Sequence, residues 1–137
     1  MRKINYIVVH CSATREGCTL TSEALEAEHR RRGFRTTGYH YYIRRDGTVL
    51  GTRSLELPGA HCRGHNKYSI GICYEGGLDA RGNPKDTRTP EQRSALHLLV
   101  YQLLQQFRNA RVCGHRDLSP DLDGDGTVEP WEWVKQC

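Results

Sequence analysis

The 137-residue chain has no apolar run approaching membrane-spanning length, and Met1-Arg-Lys leads only into Ile4 to Val9. That stretch is too short and too strand-like for a secretion signal, so synthesis in the cytosol without membrane insertion is expected. No two of the six cysteines, Cys11, Cys18, Cys62, Cys73, Cys113 and Cys137, are spaced as Cys-x-x-Cys. Without a signal peptide, reduced thiols are expected rather than a disulfide framework. Repeats, low-complexity segments and linkers are missing too, and the length suits one domain spanning 1–137. The basic residues are dispersed with no recurring aromatic-basic platform, which argues against a nucleic-acid binder. A net charge of +4 is mild and would suit an anionic polymer such as a cell wall or nucleic acid without selecting either.

The densest chemistry lies at the end, Gly114 to Cys137, reading GHRDLSPDLDGDGTVEPWEWVKQC. Counting from Asp121, oxygen-bearing residues fall at loop positions one (Asp121), three (Asp123), five (Asp125), seven (Thr127), nine (Glu129) and twelve (Glu132), with Gly126 at six. This is the spacing of an EF-hand calcium loop, in which the glycine permits the sharp turn and the last glutamate binds through two oxygens. Calcium is therefore an expected cofactor of the loop 121–132. Pro120 precedes it and disfavours the usual entering helix.

Ahead of that tail the chain alternates strands and helices. Ile4 to His10 is a β-branched run without charge, read as a buried strand near the middle of a sheet and ending on a histidine. Glu23 to Arg32 carries acids first and bases last behind Thr21 and Ser22, with Gly33 as a stop, which predicts a helix. Gly38 to Leu50 reads as a hairpin turning at Asp46-Gly47, with Tyr39 and His40 on opposite faces. Pro58 to Asn66 is a glycine-rich polar loop, and Ser69 to Glu75 a further strand. Thr89-Pro90 opens the strongest helix, whose Leu96, Leu99, Val100, Leu103, Leu104 and Phe107 share one side. Arg111 to His115 is a short strand ending in a second histidine. The fold class expected is α/β: a central mixed β-sheet flanked by helices, with the EF-hand-like loop near the C-terminus.

His10 and His115, at two strand ends, and the terminal Cys137 can be weighed as three metal ligands gathered by folding, with a fourth position for water. With Val9 to Thr14, Gly38-Tyr39-His40, Arg45 to Val49, the His61, Gly64, Asn66, Ser69-Ile70-Gly71 segment, Gly76-Gly77, Thr89-Pro90 and Gly114-His115, the chain resembles a known family over nearly its whole length. That family is the zinc-dependent N-acetylmuramoyl-L-alanine amidases of the phage T7 lysozyme type, relatives of the peptidoglycan recognition proteins. The resemblance implies a zinc hydrolase that cleaves the amide between N-acetylmuramic acid and L-alanine of peptidoglycan.

It also implies zinc on His10, His115 and Cys137, and catalytic roles for Lys135 of the Lys-x-Cys terminus and for Tyr39; the loop position of His61, Arg63 and Asn66 makes them substrate-binding candidates. The T7-type interval between histidine and third ligand is shorter, and counting it from His115 lands on Asp123. Some relatives use aspartate there, so Cys137 and Asp123 both stand as third-ligand candidates, with Cys137 preferred. Glu75 is a weaker general-base candidate, and a strand-end carboxylate of this kind reads first as a surface or structural residue. A monomer that meets peptidoglycan or muropeptides after release by a holin follows as the expected setting. The alternatives are a non-catalytic peptidoglycan-binding recognition protein and a regulatory protein that binds a polymerase.

Overall fold

The computed structural model describes residues 2–118. The loop 121–132, Lys135 and Cys137 lie outside the described residues. Seven strands and two helices follow in the order β1 (Tyr6–Cys11), β2 (Thr14–Arg15), α1 (Ser22–Arg31), β3 (Tyr41–Ile43), β4 (Val49–Gly51), β5 (Ser69–Tyr74), β6 (Gly77–Leu78), α2 (Pro90–Gln106) and β7 (Arg111–Gly114). Five strands form one sheet in the order β4-β3-β5-β1-β7, while β2 and β6 pair beside it. Within the large sheet β1 runs parallel to both β5 and β7, β3 runs parallel to β5, and only β3 and β4 are antiparallel. The sheet is mixed, as the sequence predicted, and β5 rather than β1 occupies its centre.

Local chemistry explains the elements. Thr21 caps α1 by accepting from the Ala24 amide, and Glu23 and the basic residues His29, Arg30 and Arg31 match the ends of its dipole. Thr89 and Gln92 form a reciprocal capping box on α2, with Pro90 in its first turn. Between β3 and β4 the chain turns on Gly47 at φ +89°, a left-handed conformation that favours glycine.

Each face of the sheet buries one helix. Ile7, Ile43, Ile70 and Ile72 pack against Leu96, Leu99, Leu103 and Phe107 of α2, with Val9 and Tyr74 alongside. On the other face Leu25 of α1 meets Tyr39, Tyr42 and Cys73. Side chains alternate along a strand, so in β1 the residues between Ile7 and Val9, and after Val9, point to the α1 side. His10 is one of them and is fully buried.

Glu75 is a structural hub. Its carboxylate, 1% exposed, accepts from Arg44 Nε (2.9 Å), the Leu20 amide (2.7 Å) and the Arg45 amide (3.0 Å). Although burial opposes ionisation, these donors hold its carboxyl below the usual range. A carboxylate so engaged ties α1's entry to the hairpin, as its position at a strand end suggested.

Candidate active site

The cluster of imidazoles on the α1 face begins with the two strands that end there. β1 carries His10 to its carboxyl end, and β7 delivers His115 as the first residue of the short 3-10 turn His115–Leu118. Asp117 fastens that turn by accepting from the Gly114 amide at 2.8 Å. Because β1 and β7 are parallel neighbours with Val9 opposite Gly114, the next residue of each strand emerges side by side. The rings of His10 and His115 lie 5.0 Å apart, steeply inclined at 78°.

Tyr39 completes this side, 8% exposed, with its ring 5.2 Å from that of His10. Three contacts fix it. Thr52 Oγ1 donates to the Tyr39 carbonyl at 2.7 Å, Thr37 Oγ1 does so at 3.2 Å, and the ring of His29 packs 5.4 Å away. His29 also accepts the Gly38 amide on Nδ1 at 2.8 Å. With the Tyr39 carbonyl bound by hydroxyls, regular pairing starts only at Tyr41, later than the hairpin pattern suggested.

The loop before β5 places its three candidate residues differently. Asn66 accepts the amides of His61 and Cys62 on Oδ1, each at 2.9 Å, so its carboxamide oxygen shapes the loop. Arg63 is exposed. His61 is 8% exposed, with Nδ1 2.9 Å from His10 Nε2 and Nε2 3.1 Å from Ser69 Oγ. Burial first, and the facing imidazoles second, push its pKa down to about 2, which keeps it neutral. It fits because Gly71 has no side chain: a Cβ there would lie 2.6 Å from His61 Cγ and Cδ2.

His40 belongs to the frame. Its Nδ1 accepts from the Gly71 amide at 3.0 Å, which leaves Nε2 to donate to the Leu57 carbonyl at 2.8 Å. Burial pushes its pKa down to about 4. Sequence reasoning assigned it no catalytic role, and both ring nitrogens meet backbone, with the Arg2 guanidinium also 3.2 Å from Nε2. That reasoning gave no site role to His29, Ser69 or Gly71, although Ser69 and Gly71 stand in the motif that follows His61. His29 was readable, since it falls four positions after Leu25 and so shares the buried stripe of α1.

The donor set suits zinc. Two imidazoles at strand ends, one fully buried, are ligands of the type that zinc takes. With His10 Nε2 engaged by His61, a metal would be met by Nδ1. Among the described residues no group of three or more His, Cys, Asp or Glu is placed to hold a metal ion. The two third-ligand candidates, Cys137 and Asp123, lie outside the described residues. Among the described residues, too, no helix is long and apolar enough to cross a membrane.

A mixed sheet between two helices, with a histidine pair and a buried phenol gathered on one face, defines an α/β protein with a candidate catalytic site. The chain belongs to the N-acetylmuramoyl-L-alanine amidase family, whose model matches residues 1–130. It is 37% identical over 134 residues to an endolysin of Klebsiella phage KP32, spanning 98% of this chain and 88% of that one. To the endolysin of Escherichia phage T7 it is 34% identical over 129 residues, spanning 94% and 85%. Among solved structures, the N-acetylmuramoyl-L-alanine amidase LysC from Clostridium intestinale superposes with a TM-score of 0.75 at 28% identity, over 96% of this chain and 82% of that chain. Bumblebee PGRP-SA, at 25% identity and TM-score 0.74, covers 98% and 86%.

Proposed function

We propose that this protein is a zinc-dependent amidase that hydrolyses the bond between the lactyl group of N-acetylmuramic acid and L-alanine in peptidoglycan. The observation that carries the reading is the convergence of His10, His115 and Tyr39 at one strand end, inside a chain of the amidase family. His10 and His115 would hold the ion, joined by Cys137 or Asp123. Bound there, zinc supplies Lewis acidity, polarising a carbonyl and making water nucleophilic near neutral pH.

The rest is work for side chains. Tyr39, its backbone pinned by Thr37 and Thr52, would donate its phenolic hydrogen to the oxygen that gains charge as the amide carbon becomes tetrahedral. Lys135 would offset the same charge. The low exposure of His10 and Tyr39 keeps bulk water from competing for those hydrogen bonds. Exposed Arg63 is the loop residue best disposed to meet carboxylates of the peptide stem.

Calcium in the loop 121–132 is proposed as a second, structural cofactor, bound through Asp121, Asp123, Asp125, Thr127 and Glu132. Asp123 cannot easily serve both metals, which favours Cys137 on zinc. Glu132→Ala should then weaken calcium binding and lower thermal stability in calcium; a melting temperature indifferent to calcium in the unaltered protein would remove this role.

The decisive experiment measures zinc content and muropeptide release by the purified protein, after chelation and again after zinc is restored. Free peptide and intact glycan chains, lost on chelation and regained with zinc, are the expected result. Wall bound but uncut by the zinc-loaded protein would make it a recognition protein instead.

A further inference from the structure

His61 was expected to touch substrate, yet both of its ring nitrogens face protein. Nδ1 lies 2.9 Å from His10 Nε2, and Nε2 lies 3.1 Å from Ser69 Oγ. Two proton arrangements satisfy both contacts. One arrangement has His61 donating to His10, which puts the proton of His10 on Nδ1. The other has His10 Nε2–H donating to His61 Nδ1, and His61 Nε2–H donating in turn to Ser69 Oγ. Only the second leaves His10 Nδ1 as a lone pair for a cation, since a neutral imidazole has one protonated nitrogen.

We propose that His61 is a positioning residue for the metal ligand His10: His61 Nδ1, accepting from His10 Nε2–H, holds the tautomer and ring direction of His10, and the Ser69 hydroxyl accepts the remaining proton of His61. The inference rests on the zinc reading above and extends it to two residues that would touch neither metal nor substrate. Metal-binding histidines generally donate their second N–H to such a partner, and the partner sets both orientation and basicity. Carboxylates and carbonyls are the usual partners. Here the partner is a second imidazole, which accepts through one nitrogen and passes its remaining proton to a hydroxyl.

The packing is built for this line of three residues. Ser69 and Gly71 alternate on the α1 face of β5, so the hydroxyl that receives His61 and the gap that admits its ring come from one strand. On the loop side the closest approach is equally tight, because a Cβ on Gly59 would lie 2.5 Å from His61 Cδ2. Asn66 holds the His61 amide from below the loop. Ring rotation is thereby blocked while solvent is excluded, so the hydrogen bonds are directional and dry.

The test measures zinc affinity by competition with a chromophoric chelator, independently of turnover, for the unaltered protein and for His61→Leu, His61→Asn and Ser69→Ala. Outer-shell losses of this kind cost about 10- to 100-fold in metal affinity. His61→Leu should fall in that range, and His61→Asn, whose Oδ1 can accept from His10, should recover most of the loss. Ser69→Ala should weaken binding by less, roughly a few-fold, because the hydroxyl acts through His61. As a check that needs no variant to fold, long-range 15N–1H spectra of the zinc-loaded protein should show His10 protonated on Nε2 and His61 on Nε2.

Affinity unchanged in a folded His61→Leu protein, with a raised KM, would overturn the proposal and return His61 to the substrate. So would a His61 protonated on Nδ1. An unaltered protein that takes up no zinc would overturn the zinc reading itself, and the positioning role with it.

Discussion

Gly71→Ala tests how tightly the imidazole cluster is packed, because two effects of opposite sign meet at this residue. In a strand interior, replacing glycine by alanine removes unfolded-state freedom and stabilises by about 0.5–1 kcal/mol where the space exists. Here it does not exist. The added Cβ would sit 2.6 Å from Cγ and Cδ2 of His61 and 2.9 Å from its Nδ1, well inside van der Waals contact. Retreat of the ring is opposed on its loop side by Gly59 and would lengthen the 2.9 Å contact to His10. Overpacking of a close-packed interior costs typically about 1–3 kcal/mol, so the steric term wins. The expected result is a net loss of about 1–2 kcal/mol, or a drop in melting temperature on the order of 5 °C. Thermal denaturation followed by circular dichroism measures it. A double-mutant cycle assigns the cause: in a His61→Ala background the same substitution should cost little, giving a coupling of about 1–2 kcal/mol. Equal cost in both backgrounds, or a rise in melting temperature for Gly71→Ala alone, would refute the argument that this glycine is a slot for His61.

Further outcomes follow from the same geometry. His40, buried and neutral with a pKa near 4, faces Arg2 at 3.2 Å from its Nε2 with Arg53 and the His61 ring nearby. Its folded pKa lies below the unfolded value of about 6.5, so its contribution is complete above pH 6.5 and is lost as the pH falls toward 4, by about 3 kcal/mol in all. Denaturant unfolding of the metal-free protein should therefore show the stability gap between the unaltered chain and His40→Gln narrowing by that amount between pH 7 and pH 4; a constant gap would refute it. Tyr39→Phe should lower kcat by about 100- to 1,000-fold with zinc content unchanged, as expected for a lost oxyanion donor. Activity near the starting level would remove the phenol from the reaction. Cys137→Ser should abolish amidase activity while the circular dichroism spectrum is kept, and full activity would move the third ligand to Asp123 or overturn the zinc reading.

Most of the frame was legible in the sequence because its signals are local. Thr21, Thr89, Pro90 and Gln92 mark helix starts by capping chemistry alone, and Asp46-Gly47 marks a turn by the conformation that only such residues adopt readily. His10 and His115 were legible as strand-end histidines, although their meeting depends on β1 and β7 becoming parallel neighbours. That pairing is a long-range property which no window of sequence contains. The His61 contact has the same character: its loop position pointed outward, while the partners that draw it in lie on β1 and β5.

The strand β5 shows why a pattern can be present and still mislead. A short apolar run bounded by turns reads as a strand buried on both faces, and Ser69–Tyr74 is one. Burial on both faces says nothing of what each face meets. Taken with period two, the run separates into Ile70, Ile72 and Tyr74, which fill the space against α2, and Ser69, Gly71 and Cys73, which are small. A strand with bulk on one side and little on the other leaves room on the second side for large groups from elsewhere. In this protein the guests are imidazoles: Ser69 supplies a hydroxyl that faces one, and Gly71 supplies both the gap that admits its ring and the amide that fixes His40. The central strand therefore contributes to the proposed metal centre without providing any ligand, by deciding how closely and in which direction the neighbouring histidines can sit.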